Sequence, residues 1–295
     1  NPPTNPAARD FGVDTTAPTG GTVYDGTDGT DDSYNSGSLS ALSAFWTSAE
    51  PNFDTSGKPA TNVYQYAIGT TAGGTDTRTW TYTGTSGTDS FIDATGLTLR
   101  TGQSYYFSVK ATDAAGNVET INNTSGQAVA PTLTFSYASG GAITFDDLNS
   151  ANSWTDSAKT TVLRTSTNAY GGYVIKARAI DELRHTGDIT KLIAYFRDGS
   201  FVPNSAPEVW SGVGFGYTTS DNDLSGGTFD RFATGTKYAG WVETGPGDPV
   251  ADNLNPTHVQ ITDQDFTITY RVTGNALTPA GKYSTTIVYT NIPQY

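Results

Sequence analysis

The feature that most constrains this sequence is a strict apolar–polar alternation that follows a glycine-containing turn in its first half. In residues 104–112, SYYFSVKAT, apolar side chains fall on every second position from Tyr105 to Ala111. Successive side chains of a strand point to opposite faces, so this segment is predicted to be a strand with one apolar and one wettable face. A helix would scatter the same apolar residues around its circumference.

The rest of the chain shows the same two-residue period, which predicts an all-β fold. Charged residues make up only 15% of the sequence, and it contains 33 glycines, a composition that suits short strands and turns better than helices. At 295 residues the chain exceeds what one core usually serves, so two tandem β-sandwich domains are expected. In the first of these, Trp46 is predicted to lie in the core.

A turn, a corner and a strand follow one another in residues 96–119, GLTLRTGQSYYFSVKATDAAGNVE. Leu99 lies six residues before Tyr105 with Gly102 between them, a spacing that lets the tyrosine reach back to upstream backbone. On these residues, positions 14–131 resemble a fibronectin type III domain of secreted bacterial surface proteins and glycan-degrading enzymes. The resemblance implies an immunoglobulin-like sandwich that binds, spaces or assembles and rarely catalyses.

Residues 132–295 are predicted to form a second sandwich. Its opening strands are expected at LTFSYAS and AITFDD, and residues 266–289 read as a terminal β-meander. The passages TSTNAYGGYVIKA and LTPAGKYSTTIVYT resemble secreted bacterial surface and pilin-like sandwiches. That resemblance implies a non-enzymatic subunit of a surface fibre or coat.

Charge and residue usage limit the partners and the compartment. A formal net charge of -13 without a basic cluster argues against nucleic acid and anionic membranes. The chain has no cysteine and no methionine, so Asn1 is expected to follow a cleaved secretory signal. No apolar stretch is long enough to span a bilayer. The expected location is extracellular or at the cell surface.

The first 13 residues, NPPTNPAARDFGV, are predicted to form an extended Pro-rich arm. Phe11 and Val13 alternate, so the arm can add to a neighbouring subunit's sheet edge, and the exposed Tyr295 is expected to assist. The alternative is a linker that lies on its own domain.

Two surface features of the first domain predict modification or metal binding. The loop YDGTDGTDD holds four carboxylates on a Gly-rich backbone, which predicts either a calcium site or a solvated acidic turn: Asp25, Asp28, Asp31 and Asp32. No other cofactor is expected. Asn122 and Asn123 begin overlapping N-x-[ST] sequons that predict glycosylation in a host that performs it.

No arrangement with catalytic spacing emerges, so the protein is not expected to be an enzyme. His185 and His258 lie far apart without metal-ligand spacing. The charged stretch 179–192, AIDELRHTGDITKL, has helical character and is expected to be a surface helix or loop with mutual ion pairs. A general-acid role there remains open. Asp146 and Asp147 are adjacent on an expected strand, so they should face opposite sides.

The leading functional hypothesis is a secreted structural subunit that polymerises with itself into an extracellular filament or surface layer. The alternative is an adhesin or a non-catalytic carbohydrate-binding module that engages cell-surface glycans. In that alternative, exposed tryptophans form sugar-stacking platforms, and the candidates are Trp80, Trp210 and Trp241. For Trp80 a core or cross-strand pairing role is the competing interpretation.

Overall fold

The chain divides into two compact units, Asn1–Pro131 and Thr132–Tyr295, and each is all-β. A computed structural model describes residues 14–19, 21–47, 63–86, 91–113, 115–196, 201–221, 224, 231–232, 235–254, 257 and 259–295. Within these residues there is no α-helix, and none of the antiparallel sheets closes into a barrel. This described part of the chain also lacks any helix long and apolar enough to cross a bilayer.

The first unit consists of two antiparallel sheets. One has the order β1-β2-β5, and the other has the order β4-β3-β6-β7, with β8 also pairing β6. The strands are β1 Val23–Asp25, β2 Ala41–Trp46, β3 Val63–Gly69, β4 Arg78–Ser86, β5 Phe91–Thr95, β6 Ser104–Thr112, β7 Asn122–Asn123 and β8 Gln127–Ala128.

Alternating apolar residues from both sheets form one core in the first unit. Trp46 is 1% exposed and its ring lies 5.7 Å from that of Tyr64 across the two sheets. The predicted core position of Trp46 is confirmed. The Tyr105 hydroxyl accepts a hydrogen bond from the Arg100 amide at 2.9 Å, which confirms that this tyrosine reaches back to upstream backbone.

The second unit is built on a six-stranded sheet of order β14-β16-β15-β18-β10-β9. Two smaller sheets have the orders β17-β11-β20 and β13-β12-β19. The strands are β9 Leu133–Ser139, β10 Thr155–Thr167, β11 Tyr173–Ala179, β12 Leu183–His185, β13 Asp188–Ile193, β14 Glu208–Val209, β15 Gly214–Thr219, β16 Lys237–Gly240, β17 Asp248–Asn253, β18 Ile261–Thr273, β19 Tyr283–Ser284 and β20 Ile287–Pro293.

The core of the second unit lies between the six-stranded sheet and the sheet that contains β11. Every second residue of β18, from Phe266 to Val272, enters this core, as do Tyr173 and Ile175 of β11. The intervening residues of β18, including Arg271 and Thr273, therefore lie on the outer face of the six-stranded sheet.

Three sequence predictions for the second unit are wrong. The terminal strands do not form a meander, because β18 pairs with β10 and β15 whereas β20 pairs with β11 in another sheet. The segment AITFDD is not a strand, although Ile143 and Phe145 pack against the core. The stretch 179–192 contains no helix, since β12 and β13 pair there as a hairpin.

Candidate functional site

The acidic loop of the first unit is organised around Asp25, which is fully buried at the end of β1. Its Oδ2 accepts a hydrogen bond from the Gly126 amide at 2.8 Å, and its own amide donates to Asp31 Oδ1 at 3.1 Å. Gly126 has φ of +101° and approaches Tyr106 closely, so a glycine is needed there. Asp25 therefore ties the first strand to the last strands of the unit.

Burial raises the pKa of Asp25 to about 6, because its charged form loses hydration. Hydrogen bonds from Thr124 and Gly126 oppose this rise, and the negative charges of Asp31 and Asp32 add to it. A carboxyl in this environment binds a proton more tightly than an exposed aspartate does.

The other carboxylates of the loop serve local turns. Asp28 accepts hydrogen bonds from the Thr30 amide at 3.0 Å and the Thr30 hydroxyl at 2.6 Å. Among the described residues no group of three or more His, Cys, Asp or Glu side chains is arranged to hold a metal ion. The calcium site at Asp25, Asp28, Asp31 and Asp32 stays a prediction.

The outer face of the sheet β4-β3-β6-β7 carries an aromatic and cationic patch. Trp80 is half-buried, and the Lys110 Nζ lies 4.2 Å from the centre of its ring. Tyr82 lies two residues further along the same strand and is 66% exposed. The pairing of Tyr82 with Gln65, and of Gln65 with Lys110, places all three side chains in one row on this face. We call Gln65, Trp80, Tyr82 and Lys110 the first-unit face.

The two other tryptophan candidates differ from Trp80. Trp241 is 1% exposed and packs in the core against Tyr217 with ring centres 4.2 Å apart, so it cannot be a surface platform. Trp210 lies on the outer face of the six-stranded sheet, where Phe196 stacks on its ring at 4.1 Å and 9°. A sugar cannot stack on the face that Phe196 covers.

Trp210 is also held by polar contacts. Its Nε1 donates to Thr273 Oγ1 at 3.0 Å, and the Arg271 guanidinium lies 5.0 Å from its ring. The same guanidinium lies 5.5 Å from the ring of Tyr238. Trp210, Tyr238, Arg271 and Thr273 form what we call the second-unit face.

The charged stretch that was expected to be a helix or loop engages its polar groups within the hairpin. Arg184 donates to Asp181, which confirms an ion pair in this stretch and lowers the pKa of the Asp181 carboxyl. Hydrogen bonds from Thr190 lower the pKa of Asp188. A general acid needs a carboxyl with a raised pKa, so these two aspartates are poorly suited to that role.

His185 is occupied on both ring nitrogens. Its Nδ1 accepts hydrogen bonds from the Gly187 and Asp188 amides at 3.0 and 2.9 Å. This fixes the proton on Nε2, which lies 3.1 Å from the Ala280 carbonyl oxygen. His185 therefore stabilises the hairpin of β12 and β13 through hydrogen bonds. His258 lies outside the described residues.

The remaining sequence candidates are spread over the surface. Asp146 and Asp147 are exposed and follow one another on a segment without strand pairing. Asn122 Nδ2 donates to Glu119 Oε1 at 2.9 Å, and Asn123 Oδ1 accepts from the Ser108 hydroxyl at 2.7 Å. Both asparagines lie in β7, and their glycosylation stays a prediction.

The assembly candidates are only partly described. Tyr295 is 67% exposed at the end of the chain. Phe11 and Val13 lie outside the described residues, as does the whole arm 1–13, so their role in assembly stays a prediction.

Sequence reasoning missed the two cations that contact the tryptophans. Lys110 is separated from Trp80 by a whole strand, and Arg271 comes from β18 whereas Trp210 follows β14. The alternation of β6 and β18 does place both cations on the wettable faces, which is the one signal that could have indicated them.

Comparisons with known proteins assign no family. No family model matches the chain, and no curated protein matches it. Among solved structures the chain is similar to the chitinase ChiA74 from Bacillus thuringiensis, with a TM-score of 0.23 and 16% identity over 95% of this chain and 30% of that one. An α-L-rhamnosidase from Dictyoglumus thermophilum gives a TM-score of 0.24 and 10% identity over 95% of this chain and 28% of that one.

The Streptomyces avermitilis α-L-rhamnosidase complexed with L-rhamnose gives a TM-score of 0.26 and 13% identity, over 95% of this chain and 25% of that one. The chain thus spans less than a third of the length of these enzymes. At TM-scores and identities this low, the matches transfer neither fold details nor activity to this chain.

Proposed function

We propose that this protein is a secreted, non-catalytic module that binds carbohydrate through the first-unit face. The observation that carries the proposal is the juxtaposition of the half-buried Trp80, the exposed Tyr82 and the ammonium group of Lys110. Aromatic rings offer flat apolar surface to the C–H faces of sugars, and lysine and glutamine supply hydrogen bonds to hydroxyl groups.

The architecture of the first unit supports a binding role. Its two sheets, β1-β2-β5 and β4-β3-β6-β7, and the bond from the Arg100 amide to Tyr105 are what a fibronectin type III-like sandwich has. Domains of this kind present binding surfaces on a rigid scaffold. These features support assigning the first unit to that class, and an extracellular location is part of the same proposal.

The test is titration of the full chain with neutral oligosaccharides drawn from plant, fungal and bacterial polysaccharides, followed by calorimetry on each ligand that binds. Trp80→Ala is expected to weaken binding about tenfold or more. Tyr34→Ala is the matched control, because Tyr34 is 61% exposed in the same unit but lies outside the first-unit face. Absence of binding to every sugar, or equal losses in both variants, would refute the proposal.

A second function, a self-assembling subunit of a filament or surface layer, is favoured by β9. This seven-residue strand lies at the edge of the six-stranded sheet, and its Leu133 and Tyr137 are 39% and 51% exposed. An exposed apolar edge strand is a template for pairing with another chain, including an added arm such as residues 1–13.

This second function predicts polymers in negative-stain images that disappear when a charge is placed on the edge. Tyr137→Lys should abolish them, and the Tyr34→Lys control should not. Deletion of residues 1–13 should also abolish assembly while the monomer stays folded. Uniform monomers of the unmodified protein at high concentration would argue for the binding module alone.

A further inference from the structure

Arg271 on the second-unit face has no anionic partner among the described residues, in a protein of net charge -13. Among the described residues it forms no ion pair, and its Nε is buried without a hydrogen-bond partner. By contrast, Arg164 forms two 2.7 Å hydrogen bonds with Asp265, and Arg184 pairs with Asp181. Because the Nε is closed to solvent, a ligand of this arginine has to be bound by the two terminal nitrogens of the guanidinium.

The fold gives Arg271 a defined position. It pairs across the sheet with Gly216 of β15, which pairs with Gly240 of β16, so these two strands on one side of β18 carry no side chain in that row. A Cβ at Gly216 would lie 2.9 Å from Phe196 Cβ and 3.1 Å from Trp210 Cζ3. The missing side chains therefore let the aromatic rings and the arginine lie against the sheet.

The aromatic contacts orient the guanidinium. Its centre lies 5.0 Å from Trp210 and 5.5 Å from Tyr238, whose rings meet each other at 79°. Trp210 is fixed in turn by its stacking on Phe196 and its hydrogen bond to Thr273. The Arg271 Nε is buried, whereas the two terminal nitrogens are not among the buried unpaired atoms of the described residues, so they are the donors open to a ligand.

We propose that Arg271 is a binding site for the carboxylate of an acidic sugar. A planar, pre-oriented guanidinium matches a carboxylate through two parallel hydrogen bonds. The partly exposed side chain is reachable from solvent, and the neighbouring aromatic rings offer apolar surface to a sugar ring. The net charge of -13 disfavours any densely acidic ligand, so the carboxylate is expected to be an isolated one on an otherwise neutral oligosaccharide.

This site is separate from the first-unit face and goes beyond the function proposed for it. Binding there requires a carboxylate, whereas the first-unit face offers its aromatic rings to neutral sugars. The two proposals can therefore fail independently.

The test is calorimetric titration of the full chain with oligosaccharides that contain uronic acid and with the same oligosaccharides after their carboxyl groups have been reduced to alcohols. The acidic form is expected to bind about tenfold more tightly than the reduced form, and the preference should fall as salt is added. Arg271→Gln should abolish the preference, and Arg271→Lys should retain only part of it because lysine lacks the planar fork.

Arg178→Gln is the control, because Arg178 is also partly exposed in the second unit but lies on β11 in another sheet. It should keep the full preference. Because the Arg271 guanidinium contacts the Trp210 and Tyr238 rings, replacing it could disturb them. The Arg271 Nε–H resonance of the unmodified protein therefore provides a second measurement that needs no variant. The resonance should shift with the acidic sugar and not with the reduced one. Equal binding of both sugars, no binding of either, or an unchanged preference in Arg271→Gln would overturn the proposal, and so would tighter binding of an acidic peptide at this arginine.

Discussion

The two outer sheet faces contain the same ingredients, a tryptophan and a cation, but they arrange them differently. On the first-unit face the Lys110 Nζ lies over the Trp80 ring, and an exposed tyrosine lies two residues away. On the second-unit face Trp210 is stacked under Phe196 and bonded to Thr273. The first tryptophan is covered by a flexible lysine that a ligand can displace, whereas the second is held under Phe196 and contacts the arginine that is available. When a second aromatic ring stacks on the tryptophan, as Phe196 does on Trp210, the cation rather than the tryptophan is the group that can bind a ligand.

The largest expected effect is at the buried tryptophan, Trp241, which is on neither outer face. Trp241→Ala removes a 1% exposed ring that contacts Phe215, Tyr217 and Tyr270. The free energy of unfolding should fall by about 3–5 kcal/mol, because a large side chain leaves a cavity. Urea denaturation monitored by circular dichroism measures this. A loss below about 1 kcal/mol would mean that the core is not packed around this ring.

Trp210→Ala should have an intermediate effect. It loses the stacking on Phe196, the contact with Arg271 and the hydrogen bond to Thr273, for a total of about 2–3 kcal/mol. The same denaturation experiment applies. A stability equal to that of the unmodified protein would show that Trp210 is a free surface residue, and the contrast between the two faces would be wrong.

The buried Asp25 allows the same comparison for an anion. Asp25 has no cationic partner among the described residues, just as Arg271 has no anionic one, but Asp25 can be neutralised by a proton. Its pKa is raised to about 6 in the folded state, so the folded protein binds the proton more tightly than the unfolded chain does. Stability should therefore fall as the pH rises from about 4 to about 6 and then stay lower.

Asp25→Asn removes this penalty while keeping an oxygen that can accept from Gly126. The variant should be more stable than the unmodified protein at pH 7.5 by about 1–2 kcal/mol after allowance for screening, and equally stable near pH 4. Thermal melts across this pH range provide the measurement, with Asp28→Asn as an exposed control. A variant that is less stable at pH 7.5 would show that the charged carboxylate is needed.

The smallest stability effect is expected at the proposed binding face. Trp80→Ala should change the free energy of unfolding by less than about 1 kcal/mol, because the ring is only half-buried on an outer face. Its effect should instead appear in sugar affinity. A loss as large as that of Trp241→Ala would assign Trp80 a structural role.

The sequence was a good guide wherever strand alternation decided the structure. The burial of Trp46 and the reach of Tyr105 to the Arg100 amide follow from local patterns. Pairing between distant strands does not follow from local patterns. For that reason β20 was expected beside β18, although it pairs with β11. The alternation of AITFDD correctly indicates the inward side of Ile143 and Phe145, but alternation records burial rather than a hydrogen-bonded partner.

The same limit applies to the sites. Aromatic candidates can be found in a sequence, but whether another ring covers them depends on contacts between distant segments, as with Phe196 and Trp210. The hairpin at residues 183–193 shows the opposite error. Its charged residues suggested a helix, whereas Ile189, Thr190 and Ile193 favour a strand, and the turn at Gly187 lets β12 and β13 pair.

The most direct test of the central claim is fluorine NMR of protein that carries 5-fluorotryptophan at its five tryptophans, titrated with a neutral oligosaccharide that binds. The resonance that Trp80→Phe removes should shift in proportion to the bound fraction, while those of the buried Trp46 and Trp241 stay fixed. Binding that moves a different resonance and leaves Trp80 unchanged would contradict the account.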